Sequence, residues 1–220
     1  LVNKNLNNSL LITGNKGIGK FYFIKKLIKE YINIKIDKSQ VNHHLNLFKN
    51  NYHPNVKIIK KELNEKTNKE INTITIDQIR ELNNFFVETS LIDNFPKFVL
   101  IDSADDLNLN SSNALLKVLE EPKENTYFFL ISHQPSSLLH TIRSRCLKIN
   151  LNSHNFENFK KILISQDFTS NDELFDFLFD ISNGSPGLFK EFDIDSILDT
   201  YEKLINIIIE SNPFSEGTGY

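Results

Sequence analysis

The sequence predicts a three-layer α/β domain built on a parallel sheet, followed by a small helical domain. Three observations carry this. Apolar runs of strand length alternate with helical periodicities as far as about residue 151. The runs at 97–102 and 127–132 are apolar almost throughout, as strands buried on both faces are. Beyond residue 151 only helical periodicities remain.

The elements follow in order. Residues 9–13 form a short apolar strand leading into a Gly-rich turn at 14–19. Phe21, Ile24, Leu27, Ile28 and Tyr31 then recur at helical spacing. The polar stretch 33–69 carries no clear periodicity, apart from a candidate strand at 56–59 announced by the His53-Pro54 turn. The charged, Asn-rich segment 60–72 reads as an exposed loop. Thr75 and Gln78 have capping-box spacing, and Asp77 suits the first turn of a helix whose stripe is Ile76, Ile79, Leu82 and Phe86. Pro96 precedes the strand 97–102, which ends in Asp102. Asn110 or Ser111 is the expected cap of a helix that Pro122 stops. A strand at 127–132, a helical turn at 138–142 and a strand at 147–151 complete the first domain, 1–151. Helices at 154–166, 171–183 and 194–211 make up the second, 152–211, with Gly184 ending the middle one and 212–220 a tail.

Composition excludes several classes. A net charge of -3 argues against bulk attraction to nucleic acid or an anionic membrane. One cysteine makes neither an internal disulfide nor a zinc cluster, and fits a reducing, cytoplasmic setting. No apolar run approaches the roughly 20 residues of a membrane span. With no Met and a first residue close to a strand, the chain is expected to lack its natural start.

Gly14-Asn15-Lys16-Gly17-Ile18-Gly19-Lys20 matches GxxxxGK between a strand and a helix, the arrangement of a P-loop. Glycines let backbone N–H groups curl around phosphate oxygens, and Lys20 would reach the outer phosphates. The next residue should offer a hydroxyl to Mg²⁺, yet it is Phe21. The apolar strand ending at Asp102 has the form of the second nucleotide motif, but Ser103 stands where a water-positioning Glu belongs. Asp105 and Asp106 fall on the turn beyond it and read as turn residues. Metal ligand and base are both missing, so hydrolysis at this site is not expected.

Asn113-Ala114-Leu115-Leu116-Lys117-Val118-Leu119-Glu120-Glu121-Pro122 and Ser144-Arg145-Cys146, with the Gly-rich loop and Ile76–Leu82, resemble the clamp-loader branch of the AAA+ ATPases over roughly residues 9–190. His53-Pro54 before a strand, and the degenerate site, are similar to the non-hydrolysing subunit type of that branch. The resemblance implies an AAA+ P-loop domain with a helical lid, inside the bacterial sliding-clamp loader of the replicative polymerase. Gly14, Gly17, Gly19, Lys20 and Asp102 would be a vestigial nucleotide site, and Arg145 an arginine finger given in trans to a neighbouring ATP site. Partners would be the ATP-hydrolysing and clamp-opening subunits, with DNA met only through the complex and no membrane. A polymerase label would apply through holoenzyme membership alone. No cofactor is expected: ATP binding would be weak. The family's Cys-based zinc module is absent, and His43, His44 and His53 are too few and too hydrophilic in setting to replace it, so no zinc or other metal is expected. Gly184-Ser185-Pro186-Gly187 is similar to the second sensor segment, with Leu188 where hydrolysing members carry Arg. Ser132 occupies a first-sensor position. The family's collar domain has no room before Tyr220, so the chain is a fragment or a shortened form. The competing readings are an active ATPase of the same branch, which would have to tolerate Phe21 and Ser103, and an unrelated P-loop nucleotide- or DNA-binding module.

Overall fold

Alternation along each strand builds the two apolar layers of the first unit. In the computed structural model, which describes residues 8–62, 71–87, 94–190 and 194–210, five parallel strands form one sheet. These are β1 (Ser9–Thr13), β2 (Val56–Lys60), β3 (Lys97–Asp102), β4 (Thr126–Ser132) and β5 (Leu147–Asn150), in the order β2-β3-β4-β1-β5. Val99 and Ile101 of β3, with Phe128 and Leu130 of β4, point to one face. Phe98, Leu100, Phe129 and Ile131 point to the other. The first face is covered by α3 (Ile76–Val87), α4 (Leu109–Glu120) and α5 (His140–Arg145). The second is covered by α1 (Lys20–Lys35) and α2 (Val41–Lys49). Both faces of β3 and β4 are therefore dry, which is why these strands are apolar almost throughout.

Several expectations shift in detail. The buried stripe of α1 is Lys20, Ile24, Ile28 and Ile32, while Leu27 is exposed. Phe85 replaces Ile76 and Phe86 in the buried stripe of α3, alongside Gln78, Ile79 and Leu82. The expected capping box is present: the Thr75 N–H donates to Gln78 Oε1 at 2.9 Å and the Gln78 N–H to Thr75 Oγ1 at 3.4 Å. Helix α4 begins earlier than its expected caps, because Asn108 Oδ1 accepts the Ser111 N–H at 2.9 Å. Replacing Asn108 by alanine should therefore cost about 1 kcal/mol; an unchanged chemical-denaturation midpoint would contradict this. Helix α2 falls within a stretch where no element was expected. Most of the 60–72 loop (63–70) and the expected tail lie outside the described residues.

The chain divides into two compact units, residues 1–153 and 154–220. The second unit contains α6 (Phe156–Ile164), α7 (Asp172–Ser182) and α8 (Ile194–Glu210). Its core is aromatic: Phe159 and Phe175 are fully buried with Leu163 and Leu178, and the Phe159 and Phe179 rings meet edge to face at 5.4 Å. Asn155 and Asn171 cap α6 and α7 by accepting the Asn158 and Leu174 N–H groups. Asn183, in the left-handed conformation at φ 51°, closes α7. Among the described residues no helix is long and apolar enough to cross a membrane.

Candidate functional site

Strand β1 delivers the Gly-rich loop to the N-terminus of α1, and Gly14, Gly17 and Gly19 all take positive φ there (139°, 83° and 91°). Gly14 is needed for a second reason. A Cβ on it would stand 2.3 Å from the Leu151 carbonyl oxygen and 2.6 Å from Ile18 Cδ1. Lys20 opens α1 and is only 3% exposed. Its Nζ donates to the Gly14 carbonyl at 2.6 Å and to the Asn15 carbonyl at 2.7 Å. Burial lowers its pKa to about 8, against the pull of Asp102 and Asp105. The ammonium thus spends two of its three donors on its own loop.

Phe21 packs against the apolar layer under α1, with Lys25 Nζ 5.5 Å from its ring centre. It supplies no oxygen to a hard cation. At the end of β3, Asp102 has its pKa raised, first by burial, while Lys20 opposes the shift. Ser103 Oγ donates to Asp106 Oδ2 at 2.9 Å and caps the short 3₁₀ turn Ala104–Asp106. Its hydroxyl is a structural cap and has no basicity to lend. A catalytic magnesium nucleotide therefore does not fit this donor set: position 21 offers no hydroxyl to the metal, and the Ser103 hydroxyl is engaged by Asp106 and is no base.

Asp105 is tied to the neighbouring strand. Its carboxylate accepts Ser132 Oγ at 2.7 Å and the His133 N–H at 2.5 Å, with Gln134 N and Ser137 Oγ at its margin. Ser132, at the first-sensor position, is fully buried and faces this carboxylate. Asp105 is the residue that residue-by-residue reading undervalues, since its role depends on β4 lying beside β3 in register, Asp102 opposite Ile131.

Arg145 ends α5. Its Nη1 donates to the Thr141 carbonyl at 3.0 Å, and its Nη2 meets Glu120 Oε1, the last residue of α4, at 2.6 Å. Ser144 Oγ returns to Thr141 O and shapes the turn. The buried Cys146 thiol is pushed up to about 11, so it stays protonated at neutral pH.

The histidines correct one expectation. His44 and His53 are buried, at 5% and 3% exposure, so their setting is not hydrophilic. Their rings bond to each other, Nδ1 of His44 to Nε2 of His53 at 3.2 Å, and His53 lies against Phe95. Imidazoles that satisfy one another leave no four-donor set for zinc, and among the described residues no group of three or more His, Cys, Asp or Glu could hold a metal. In the second unit, Pro186–Lys190 forms a 3₁₀ turn, with Ser185 buried just before it and Leu188 half-buried within it.

Comparison with known proteins places this geometry. A family model described as DNA polymerase III, delta subunit, matches residues 1–155. The DNA polymerase III subunit delta' of Pseudomonas aeruginosa is 45% identical over 96 residues, covering 44% of this chain and 27% of the relative. That of Escherichia coli is 34% identical over 116 residues, covering 53% and 34%. That of Buchnera aphidicola subsp. Schizaphis graminum is 28% identical over 183 residues, covering 74% and 53%. The chain thus spans between about a quarter and a half of the length of these curated relatives. A DNA polymerase III gamma subunit-related protein of Thermotoga maritima shares the fold, with a TM-score of 0.50 at 20% identity over 70% of this chain and 46% of that one. The parallel sheet flanked by helices is thus the AAA+ type of P-loop fold, with a helical lid. By sequence and fold together, this chain belongs to the DNA polymerase III delta subunit family, as a delta-prime-like member of the clamp-loader branch of the AAA+ superfamily.

Proposed function

We propose that this chain works as a non-hydrolysing, delta-prime-like subunit of a sliding-clamp loader in DNA replication. It docks beside an ATP-hydrolysing subunit and the clamp-opening subunit, with residues 152–211 as its lid. It meets DNA through the complex and gives Arg145 to the neighbour's ATP site. The observation that carries this reading is the loop itself: a P-loop fold whose lysine is bonded to its own carbonyls, beside a Phe where a metal ligand belongs. Phosphoryl transfer depends on positioned metal and cations more than on covalent chemistry by the protein. A fold that keeps the scaffold without those parts can still present a cation across an interface. The guanidinium suits that task, since its planar fork bridges two phosphate oxygens as charge develops there.

Two measurements test the silence of its own site. The purified protein should show no ATP turnover that depends on Lys20; turnover abolished by Lys20→Ala would refute the proposal. Phe21→Thr should also leave the protein inactive, because Ser103 still lacks basicity. Robust hydrolysis by that single variant would mean the missing base does not matter.

A further inference from the structure

Among the described residues, the Arg145 guanidinium meets two acceptors. One is the carbonyl of Thr141, one turn back on α5, and the other is the carboxylate of Glu120 at the end of α4. The ion pair is half-exposed, with the arginine side chain at 35% and the glutamate at 47%. It therefore sits where an incoming group can compete for it. Glu120 is also the final residue of a helix whose other end is fixed by the Asn108 cap and whose second half is anchored in the core by Leu115 and, beside Glu120 itself, Leu119. The carboxylate is thus held on a rigid element, while the arginine has a long, rotatable stem.

We infer that Glu120 is a latch for Arg145, holding the guanidinium folded against α4 and releasing it when phosphate oxygens of a neighbouring nucleotide take its place. This rests on the trans role of Arg145 proposed above. The chemistry is an exchange of one anionic acceptor for another. Nη2 leaves a carboxylate oxygen and takes a phosphate oxygen, and no bond to carbon or phosphorus changes. A carboxylate competes with phosphate in the state that precedes reaction, so the latch lowers the fraction of fingers engaged. Its strength sets the size of the effect. Half-exposed ion pairs contribute up to about 1 kcal/mol, which at 1.4 kcal/mol per tenfold is a factor of at most about five. Glu120 is a positioning residue: it acts through Arg145 and does not touch nucleotide.

The test uses the full-length protein in a loader reconstituted with its ATP-hydrolysing subunits, and reads kcat and KM for ATP. Glu120→Gln keeps the shape of the side chain but removes its charge. It should raise kcat about two- to fivefold with KM unchanged. Glu120→Asp, which keeps the charge, should stay near the wild-type value. In an Arg145→Ala background, Glu120→Gln should have no effect. If Glu120→Gln leaves kcat unchanged or lowers it, or raises it equally without Arg145, the latch is refuted while the finger stands. If Arg145→Ala itself leaves turnover unchanged, the finger is refuted, and the latch with it.

Discussion

Arg145→Ala, introduced into the full-length protein within a reconstituted loader, is expected to lower ATP turnover at the neighbouring site proposed to receive it by about 10³–10⁵-fold, the range known for arginines supplied in trans. That is about 4–7 kcal/mol of barrier. Folding should not be the cause. The side chain is one-third exposed, and its pair with Glu120 is of the half-exposed kind that contributes little to stability. Assembly, followed by size-exclusion chromatography with light scattering, should therefore survive the substitution. Arg145→Lys should recover little, because an ammonium is a point charge and cannot span two oxygens in one plane. Pre-steady-state phosphate release is the decisive readout. A fast phase of normal rate and amplitude with Arg145→Ala would remove this residue from the neighbour's chemistry.

The second large effect is on stability, and it comes from the histidine pair. The Asn55 N–H donates to His53 Nδ1 at 3.2 Å, so that nitrogen carries no proton. The proton must sit on Nε2, which then donates to His44 Nδ1. Both rings are neutral by construction, and a further proton on either would set two donors against each other. Burial, with His44 nearby, lowers the pKa of His53 to about 4, and burial with His43 lowers that of His44. Between the ordinary histidine value near 6.5 and about 4, the unfolded chain binds the proton and the folded chain refuses it. Stability is thus complete above the unfolded value and falls as pH drops through this window, by on the order of 3 kcal/mol for His53. Urea denaturation of wild type and His53→Gln at pH 7.5 and 4.5 isolates this share, since carboxylates titrate alike in both. The wild type should lose about 2–3 kcal/mol more than the variant over that interval. Parallel losses in the two proteins would show that the pair does not resist protonation.

How much of this was legible in sequence depended on whether a feature was local. Strand β3 was readable because a strand dry on both faces must be apolar at nearly every position, whatever it packs against. The cap at Thr75 was readable because its partner lies three residues away. Helix α2 was not: in its sequence VNHHLNLFK only His44 and Phe48 are buried, and burial of a histidine is not something periodicity reports. The same reason hid the His44–His53 bond, which depends on the approach to β2 bringing His53 under α2. At the site, the foreign residues Phe21 and Ser103 could be seen as misfits at their positions. What they do instead could not. Ser103 caps a turn through Asp106, and Asp105 ties down the start of the following loop. The motif put Lys20 at the loop, but its contacts to the Gly14 and Asn15 carbonyls depend on backbone shape, which residue types do not report. Glu120 as the partner of Arg145 was equally beyond reach, because it is 25 residues distant and depends on α4 and α5 meeting.

Gly14 offers a different lesson. Its absent side chain leaves room for the Leu151 carbonyl, which would otherwise lie 2.3 Å from a β-carbon, and that crowding exists whether or not any anion ever visits. Alanine at this position would be penalised as a misfit between the first strand and the segment leaving the fifth. Part of a nucleotide signature can therefore serve as joinery, and a motif match at such a position testifies to carpentry before it testifies to ligand.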